Sequence, residues 1–191
     1  MSGFFAMLSR IKYINRWGLM RSARTETLSE HSLETAMLVH ALTAIANTLG
    51  ENLNCETAAM IALYHDASEI ITGDLPTPIK YKNKSIITAY KTIEGDANRK
   101  LISMLPEKLR PQYEDYFFPE EKYGEYIPYI KAADKLSAII KCLEEKKSGN
   151  TEFETARETL LAHPSLQLPA AKIFMEEYLP AYSLTLDKIS T

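Results

Sequence analysis

The stretch that most constrains this chain runs from Ala58 to Ile71. It is rich in Ala, Met, Ile and Leu with little polar relief, so it reads as a helix buried at the centre of the molecule. Gly73 is placed to stop it. Yet its last turns carry Tyr64-His65-Asp66-Ala67-Ser68-Glu69, an imidazole and two carboxylates where an apolar run should continue. Residues three and four apart share a helix face, which puts Glu69 beside both His65 and Asp66. Asp74-Leu75-Pro76-Thr77-Pro78 follows as a stiff loop, because each proline fixes its own φ and drives the preceding residue out of helical geometry. Titratable groups at the end of a buried helix need partners, and the rest of the chain must supply them.

The remaining segments are helical in pattern too. Phe4, Met7, Leu8, Ile11 and Ile14 repeat at helical spacing as far as Asn15-Arg16-Trp17-Gly18. Thr27-Leu28-Ser29-Glu30 has the pattern of a capping box. It opens a helix whose apolar face is predicted to be Leu33, Ala36, Met37, His40, Ala41, Ala44 and Ile45, with Gly50 as its stop. Asn54 is the next expected cap. Ile86 to Leu105 is periodic up to Pro106, and a short helix followed by a loop is expected between Leu109 and Tyr126. Ile127 to Lys147 carries Ile130, Ala133, Leu136, Ile140 and Leu143 as a stripe, with Gly149 as its stop. Thr151-Glu152-Phe153-Glu154 reads as a second capping box, opening a helix that ends before Pro164. The last helix starts near Pro169 and breaks at Pro180.

Nothing alternates with period two for long enough to make a strand, and there is no internal repeat or Gly/Ser linker. The chain has 191 residues, 46% hydrophobic and 25% charged, enough for one packed core and unlike a disordered composition. The expectation is a single all-α domain over residues 1–191. A net charge of −3 argues against a nucleic-acid polymer or an anionic membrane as partner, while leaving a small anionic substrate open. No run approaches a membrane span, and Ser9-Arg10 interrupts Phe4 to Leu8 before a signal-peptide core forms. Cys55 and Cys142 make no C-x-x-C pair, which fits a reducing interior and a cytoplasmic location.

The chain has four histidines. His31 falls in the first turn after the Thr27 cap, and His65-Asp66 lies in the central run. Asp134 interrupts the apolar pattern from Ile130 to Ile140, where a carboxylate is costly unless paired or coordinated. Two imidazole nitrogens and two carboxylate oxygens form a borderline-hard donor set, suited to Mn, Fe, Co, Ni or Zn rather than Ca. Four such ligands in an octahedral shell leave open positions, the mark of a catalytic metal. Each residue also has an ordinary reading. A lone helical His is more often a hydrogen-bonded core or surface residue, and His40 and His163 stay in that class. Asp134 could pair with a Lys or Arg, Arg16 could be a solvated residue at a helix end, and Trp17 a core side chain. Glu69 could be a surface acid or a partner of His65, and Asp74 a turn residue. Spacing alone leaves these pairs open.

In chain order, His31, His65-Asp66 and Asp134 resemble the His…His-Asp…Asp signature of the HD-domain superfamily of metal-dependent phosphohydrolases, which fold as all-helical bundles. The flanks Ile14-Asn15-Arg16-Trp17, Arg24-Thr25-Glu26, Ser29-Glu30-His31-Ser32, Tyr64 to Glu69 and Thr72 to Pro78 look like those of the bacterial 5′-deoxynucleotidase family. Those enzymes remove phosphate from deoxyribonucleoside 5′-monophosphates. The likeness runs from Phe4 into the C-terminal helix. It implies that His31, His65, Asp66 and Asp134 bind one divalent transition-metal ion such as Co or Mn, with His31 and Asp134 also bordering the substrate. It implies that Arg16 grips the phosphate through a bidentate contact, and that Trp17 crowds the sugar 2′ position against ribose. Glu69 would orient or deprotonate the attacking water. Asp74 would accept a hydrogen bond from the 3′-hydroxyl, with Leu75, Pro76 and Thr77 shaping the nucleoside pocket. Broad base specificity and a homodimer are also implied, with Tyr113, Tyr116, Phe117, Phe118, Tyr178 and Tyr182 as its apolar surface unless core packing claims them.

Rival readings exist. A ppGpp hydrolase should carry His-Asp-x-x-Glu-Asp, but Ile70 follows Glu69 here. A triphosphohydrolase should show more cations near the site than Arg16. A non-catalytic nucleotide or metal sensor has no need of Glu69 and Arg16 beyond the ligand set.

Overall fold

The computed structural model describes residues 2–190, and among these the regular elements are all helices, with one isolated bridge between Asn15 and Thr27. A short α1 (Phe4–Leu8) tightens into a 3₁₀ turn over Ser9–Tyr13. The long helices are α2 (Leu28–Thr48), α6 (Lys84–Ser103) and α8 (Ile127–Lys147), introduced in chain order with α3 (Cys55–Tyr64), α4 (Glu69–Thr72), α5 (Thr77–Lys80) and α7 (Arg110–Phe117) between them. Then come α9 (Glu154–Leu161), α10 (Pro169–Glu177) and α11 (Leu186–Ile189).

The expected punctuation is present where local chemistry sets it. The Thr27 capping box forms both ways: Thr27 Oγ1 accepts the Glu30 amide at 3.4 Å and Glu30 Oε2 accepts the Thr27 amide at 2.8 Å. Asn54 caps α3 by accepting the Thr57 amide at 2.7 Å. Gly50, Gly73 and Gly149 follow their helices at φ of 104°, 73° and 81°, where a side chain would be strained.

Three expectations fail, the first through a local side-chain contact and the other two through packing. The run from Ala58 to Ile71 is two helices with a turn at 65–68 between them. The Thr151 capping box does not form: α9 starts at Glu154 with no side-chain cap, and Phe153 is buried instead. The predicted apolar face of α2 is largely the outer one. Leu28, His31, Ser32, Thr35, Leu38, Val39, Leu42, Thr43 and Ala46 face inward, whereas Leu33 and Met37 are 56% and 59% exposed and His40 is exposed. Both faces carry apolar residues, so periodicity could not choose between them. The inner face also carries hydroxyls, which Thr43 satisfies by donating to the Val39 carbonyl at 2.8 Å.

The core has two parts. The larger packs α2, α3, α8 and α10 around Leu42, Ile61, Leu136, Ile139 and Phe174. The smaller joins Phe4, Ala67, Leu101, Leu105 and Phe117, with Tyr64 and Tyr113 stacked against its aromatic members. Phe117 is therefore core, and Tyr113, Tyr116, Phe118 and Tyr182 pack on the two clusters, while Tyr178 is 48% exposed. Of the aromatics offered as dimer surface, Phe117 is buried and four others are partly buried against the cores.

A buried ion pair fastens the connector before α2 to α8. Glu145 accepts the Ala23 amide at 2.7 Å, the Arg24 amide at 3.4 Å and the Asn150 side chain at 2.7 Å, and it pairs with Lys141. Burial resists its charge, but these donors outweigh burial and hold its carboxyl down at about 2. Removing one charge of a buried pair strands the other. Glu145→Gln is expected to lower the urea unfolding midpoint by the equivalent of about 3 kcal/mol at unchanged m-value.

Candidate functional site

The turn at 65–68 lies where the two cores meet: Ala67 enters the smaller, while Ala62 belongs to the larger. In a continuing helix the Ala62 carbonyl would accept the amide of residue 66. Here the His65 ring takes it, Nδ1 donating at 2.6 Å, and the following amides close tighter i→i+3 bonds, Ala67 to Tyr64 at 3.0 Å and Glu69 to Asp66 at 3.0 Å. The side chain thus ends its own helix and turns Asp66 and Glu69 toward α2 and α8.

That bond also sets the tautomer. With Nδ1 protonated, neutral His65 presents the lone pair of Nε2. His31, fully buried on α2, is set the same way by a relay: Ser137 donates to Glu34 at 2.6 Å, so its oxygen accepts His31 Nδ1–H at 2.9 Å. The Nε2 atoms of both rings are buried without a hydrogen-bond partner. His31, His65 and Asp66 offer ligand atoms within 4.8 Å of one another. Asp134 Oδ1 stands 3.3 Å from His31 Nε2, and Asp66 Oδ2 is 3.1 Å from His65 Nε2 and 3.6 Å from His31 Nε2. Two orphaned nitrogens converging with carboxylate oxygens, each ring oriented through its other nitrogen, suit a transition-metal ion by donor chemistry.

Arg16 and Trp17 reach the cluster from the N-terminal connector. Arg16 Nη1 lies 3.7 Å from Asp66, and its Nε donates to Glu26 at 3.3 Å. Burial works against its charge, but Asp66, Asp134, Glu26 and Asp74 outweigh burial and raise its pKa. Trp17 sits at φ 60° and packs edge-on against Phe153 at 5.1 Å.

Glu69 lies on the other side, 3% exposed, with Oε2 unpartnered and Oε1 3.8 Å from Lys80 Nζ. Burial, then Asp66 and Asp74, push its carboxyl up to about 9 against the pull of Lys80 and Arg16. Lys80 is itself paired with Glu94 at 2.8 Å. Asp74 begins the turn after Gly73, whose carbonyl accepts hydrogen bonds from Thr72 at 3.0 Å and Tyr90 at 3.4 Å. Asp74 is within electrostatic reach of Arg16 and Glu69. Leu75 and Pro76 are half-buried in that turn, and Thr77 is exposed as the first residue of α5.

The structure thus brings His31, His65, Asp66, Asp134 and Arg16 together, with Glu69 and Asp74 in electrostatic reach, Leu75, Pro76 and Thr77 in the turn beside them, and Trp17 next to Arg16 against Glu26 and Phe153. The sequence reading missed those that hold them: Glu26, Glu34, Ser137, Lys80 and Glu94. Glu26 closes the quoted flank Arg24-Thr25-Glu26 and Lys80 stands close to the flank Thr72 to Pro78, but neither was given a role, and nothing local shows that they turn inward. Lys135 is a further cation, 2.9 Å from the outer oxygen of Asp134, so Arg16 is not alone beside the site.

A match to the 5′-deoxynucleotidase YfbR-like family spans residues 3–182. The chain is 50% identical to a 5′-deoxynucleotidase of Yersinia pestis (strain Pestoides F) over 197 aligned positions, covering 100% of this chain and 98% of that one. A 5′-deoxynucleotidase of Yersinia pseudotuberculosis (serotype O:3, strain YPIII) matches equally, at 50% identity and the same coverage. Among solved structures, an HD-domain phosphohydrolase from Listeria innocua superposes with a TM-score of 0.82 at 22% identity, covering 98% of this chain and 90% of that one. An HD phosphohydrolase of cyanophage S-2L, bound to dA and one catalytic Zn2+ ion, superposes with a TM-score of 0.63 at 19% identity, covering 94% and 96%. These two likenesses establish the helical HD fold.

The electrostatics give a pH signature for the protein prepared with chelator. Burial opposes charge on His65, but Asp66 outweighs it and raises the ring to about 9. Protonated His65 therefore stabilises the fold fully below the imidazole's usual 6.5 and loses that effect as pH rises through 9. Glu69 keeps a proton that the unfolded chain has released, which acts in the same direction between about 4.5 and 9. Chelator-treated protein is expected to unfold at lower urea at pH 9 than at pH 6.5.

Proposed function

The chain belongs to the YfbR-like 5′-deoxynucleotidase family of phosphoric monoester hydrolases, and from that premise we propose that it hydrolyses deoxyribonucleoside 5′-monophosphates with a bound divalent metal, discriminating against ribonucleotides and accepting several bases. The observation that carries this reading is the pair of orphaned Nε2 atoms facing Asp66 and Asp134, with a guanidinium on one side and a raised carboxyl on the other. A divalent ion such as Co or Mn held by His31, His65, Asp66 and Asp134 would supply Lewis acidity, countering phosphate charge and acidifying the attacking water.

The side chains supply the rest. Arg16 binds the phosphate oxygens through its terminal nitrogens, since its Nε edge is committed to Glu26. Glu69, held ionised by the positive charge of a bound ion, can orient water for attack on phosphorus and accept its proton as the P–O bond forms. The bond to the 5′-oxygen breaks in line, and that oxygen needs a proton. Having taken the proton of the water, the Glu69 carboxyl can return it to the leaving group. Asp74 accepts from the 3′-hydroxyl, while Leu75, Pro76 and Thr77 line the nucleoside side. Trp17 closes the space beside the 2′ carbon.

The homodimer is part of the same proposal, with Leu33 and Met37 on the outer face of α2 as its centre, because both are large apolar side chains more than half exposed. Among the described residues no helix is long and apolar enough to cross a membrane, and we assign the enzyme to the cytoplasm.

Phosphate release from dTMP, TMP and dTTP measured in parallel tests the reaction: dTMP should turn over and chelation should stop it. Turnover of dTTP with dTMP untouched would favour a triphosphohydrolase. Glu69→Ala should lower kcat by roughly 10²–10⁴-fold with stoichiometric metal retained. Absence of turnover in the parent protein would favour a sensor. Trp17→Ala should weaken the preference for dAMP over AMP. By light scattering the protein should be a dimer, and Met37→Glu should shift it toward monomer.

A further inference from the structure

Glu26 occupies none of the ligand or substrate positions above, yet it is 7% exposed and touches two of them. Its Oε2 accepts Trp17 Nε1–H at 2.7 Å and Arg16 Nε–H at 3.3 Å, so one carboxylate oxygen holds both the indole and the guanidinium. The backbone repeats the link: the Arg16 amide donates to the Glu26 carbonyl at 2.9 Å, beside the bridge between Asn15 and Thr27. Among the described residues Trp17 is the one non-glycine at positive φ, at 60°. For a large side chain that conformation is strained and persists only where surrounding contacts over-determine it. The contacts here are Glu26 at the indole nitrogen and Phe153 against the ring face or edge, 5.1 Å between centroids.

Resting on the reading of Arg16 as the phosphate arm and Trp17 as the barrier at the 2′ carbon, we propose that Glu26 is a positioning residue that fixes the distance between these two groups and so sets selectivity for deoxyribose. The bonds between phosphorus and the 2′ carbon span a fixed reach, so a steric barrier rejects ribose only when held at a set distance from the phosphate anchor. An indole free to relax from its strained backbone would drift and admit the extra hydroxyl. The charge of Glu26 matters as well as its shape, because it keeps the buried Nε edge of Arg16 occupied and leaves the terminal nitrogens for phosphate.

Trp17 is the single tryptophan of the chain, so its fluorescence reports on this tether independently of activity. Glu26→Ala, Glu26→Gln and Trp17→Phe are compared with the parent. Glu26→Ala is expected to red-shift Trp17 emission, raise its quenching by acrylamide, and lower the ratio of kcat/KM for dAMP over AMP by about tenfold. Trp17→Phe removes the N–H donor and should lower the same ratio. The double variant should lose little beyond the larger single loss, because both changes cut one interaction. Unchanged emission and quenching in Glu26→Ala would overturn the proposal, as would equal loss on both nucleotides with the ratio intact. Should Glu26→Ala fail to fold, an unchanged ratio in both Glu26→Gln and Trp17→Phe overturns it. An unchanged ratio in Trp17→Ala would instead remove the sugar-barrier reading of Trp17 and the selectivity half of the proposal. Altered emission in Glu26→Ala would in that case still support the tether.

Discussion

The bond from His65 Nδ1 to the Ala62 carbonyl, 2.6 Å long, governs how the site is assembled. It ends α3 by taking the acceptor that the next helical amide would use, so Asp66, Ala67 and Ser68 form a turn rather than another helical layer. It protonates the near nitrogen of the ring and thereby frees the far one. It also lets Ala67 drop into the smaller core while Glu69 starts a new helix facing the cluster. One side-chain-to-backbone contact thus settles a helix end, a tautomer and the direction of a carboxyl.

The site is held by supporting side chains to which the sequence motifs assigned no role. Ser137 and Glu34 orient His31 from α8 and α2, Lys80 and Glu94 flank Glu69, and Glu26 joins Arg16 to Trp17. Most of these groups are partly or fully buried, where an unpaired charge is expensive, so each has an opposite partner close by. The exceptions are the two imidazole nitrogens and one oxygen of Glu69, which are buried and left without partners. Ser32, Thr35, Asn98 and Arg157 also bury an unpartnered polar atom, but the two imidazole nitrogens converge with the carboxylates of Asp66 and Asp134, and that convergence marks where the protein is built to meet something else.

The connector from Arg16 to Glu26 shows why a loop can carry such a site. It has no regular structure, yet the bridge at Asn15 and Thr27, the carboxylate of Glu26 and the buried Glu145 beneath Ala23 fix it at several points. The strain at Trp17 is tolerable because those points are anchored on α2 and α8, the two longest helices of the larger core.

The amino-acid sequence by itself determined the helical class, most helix ends and the set of chemistry-bearing residues. Caps, glycine stops and proline breaks act within a few residues, so Thr27, Asn54, Gly73 and Gly149 could be read directly. The motif residues His31, His65, Asp66, Glu69, Asp74 and Asp134 were legible as titratable groups in apolar surroundings. Tertiary structure alone decided which face of α2 turns inward, because Leu33 and Met37 are as apolar as Leu38 and Leu42 and only packing distinguishes them. It alone brought Glu26 to Trp17 and Ser137 to His31, since such pairs form between groups that no local spacing relates.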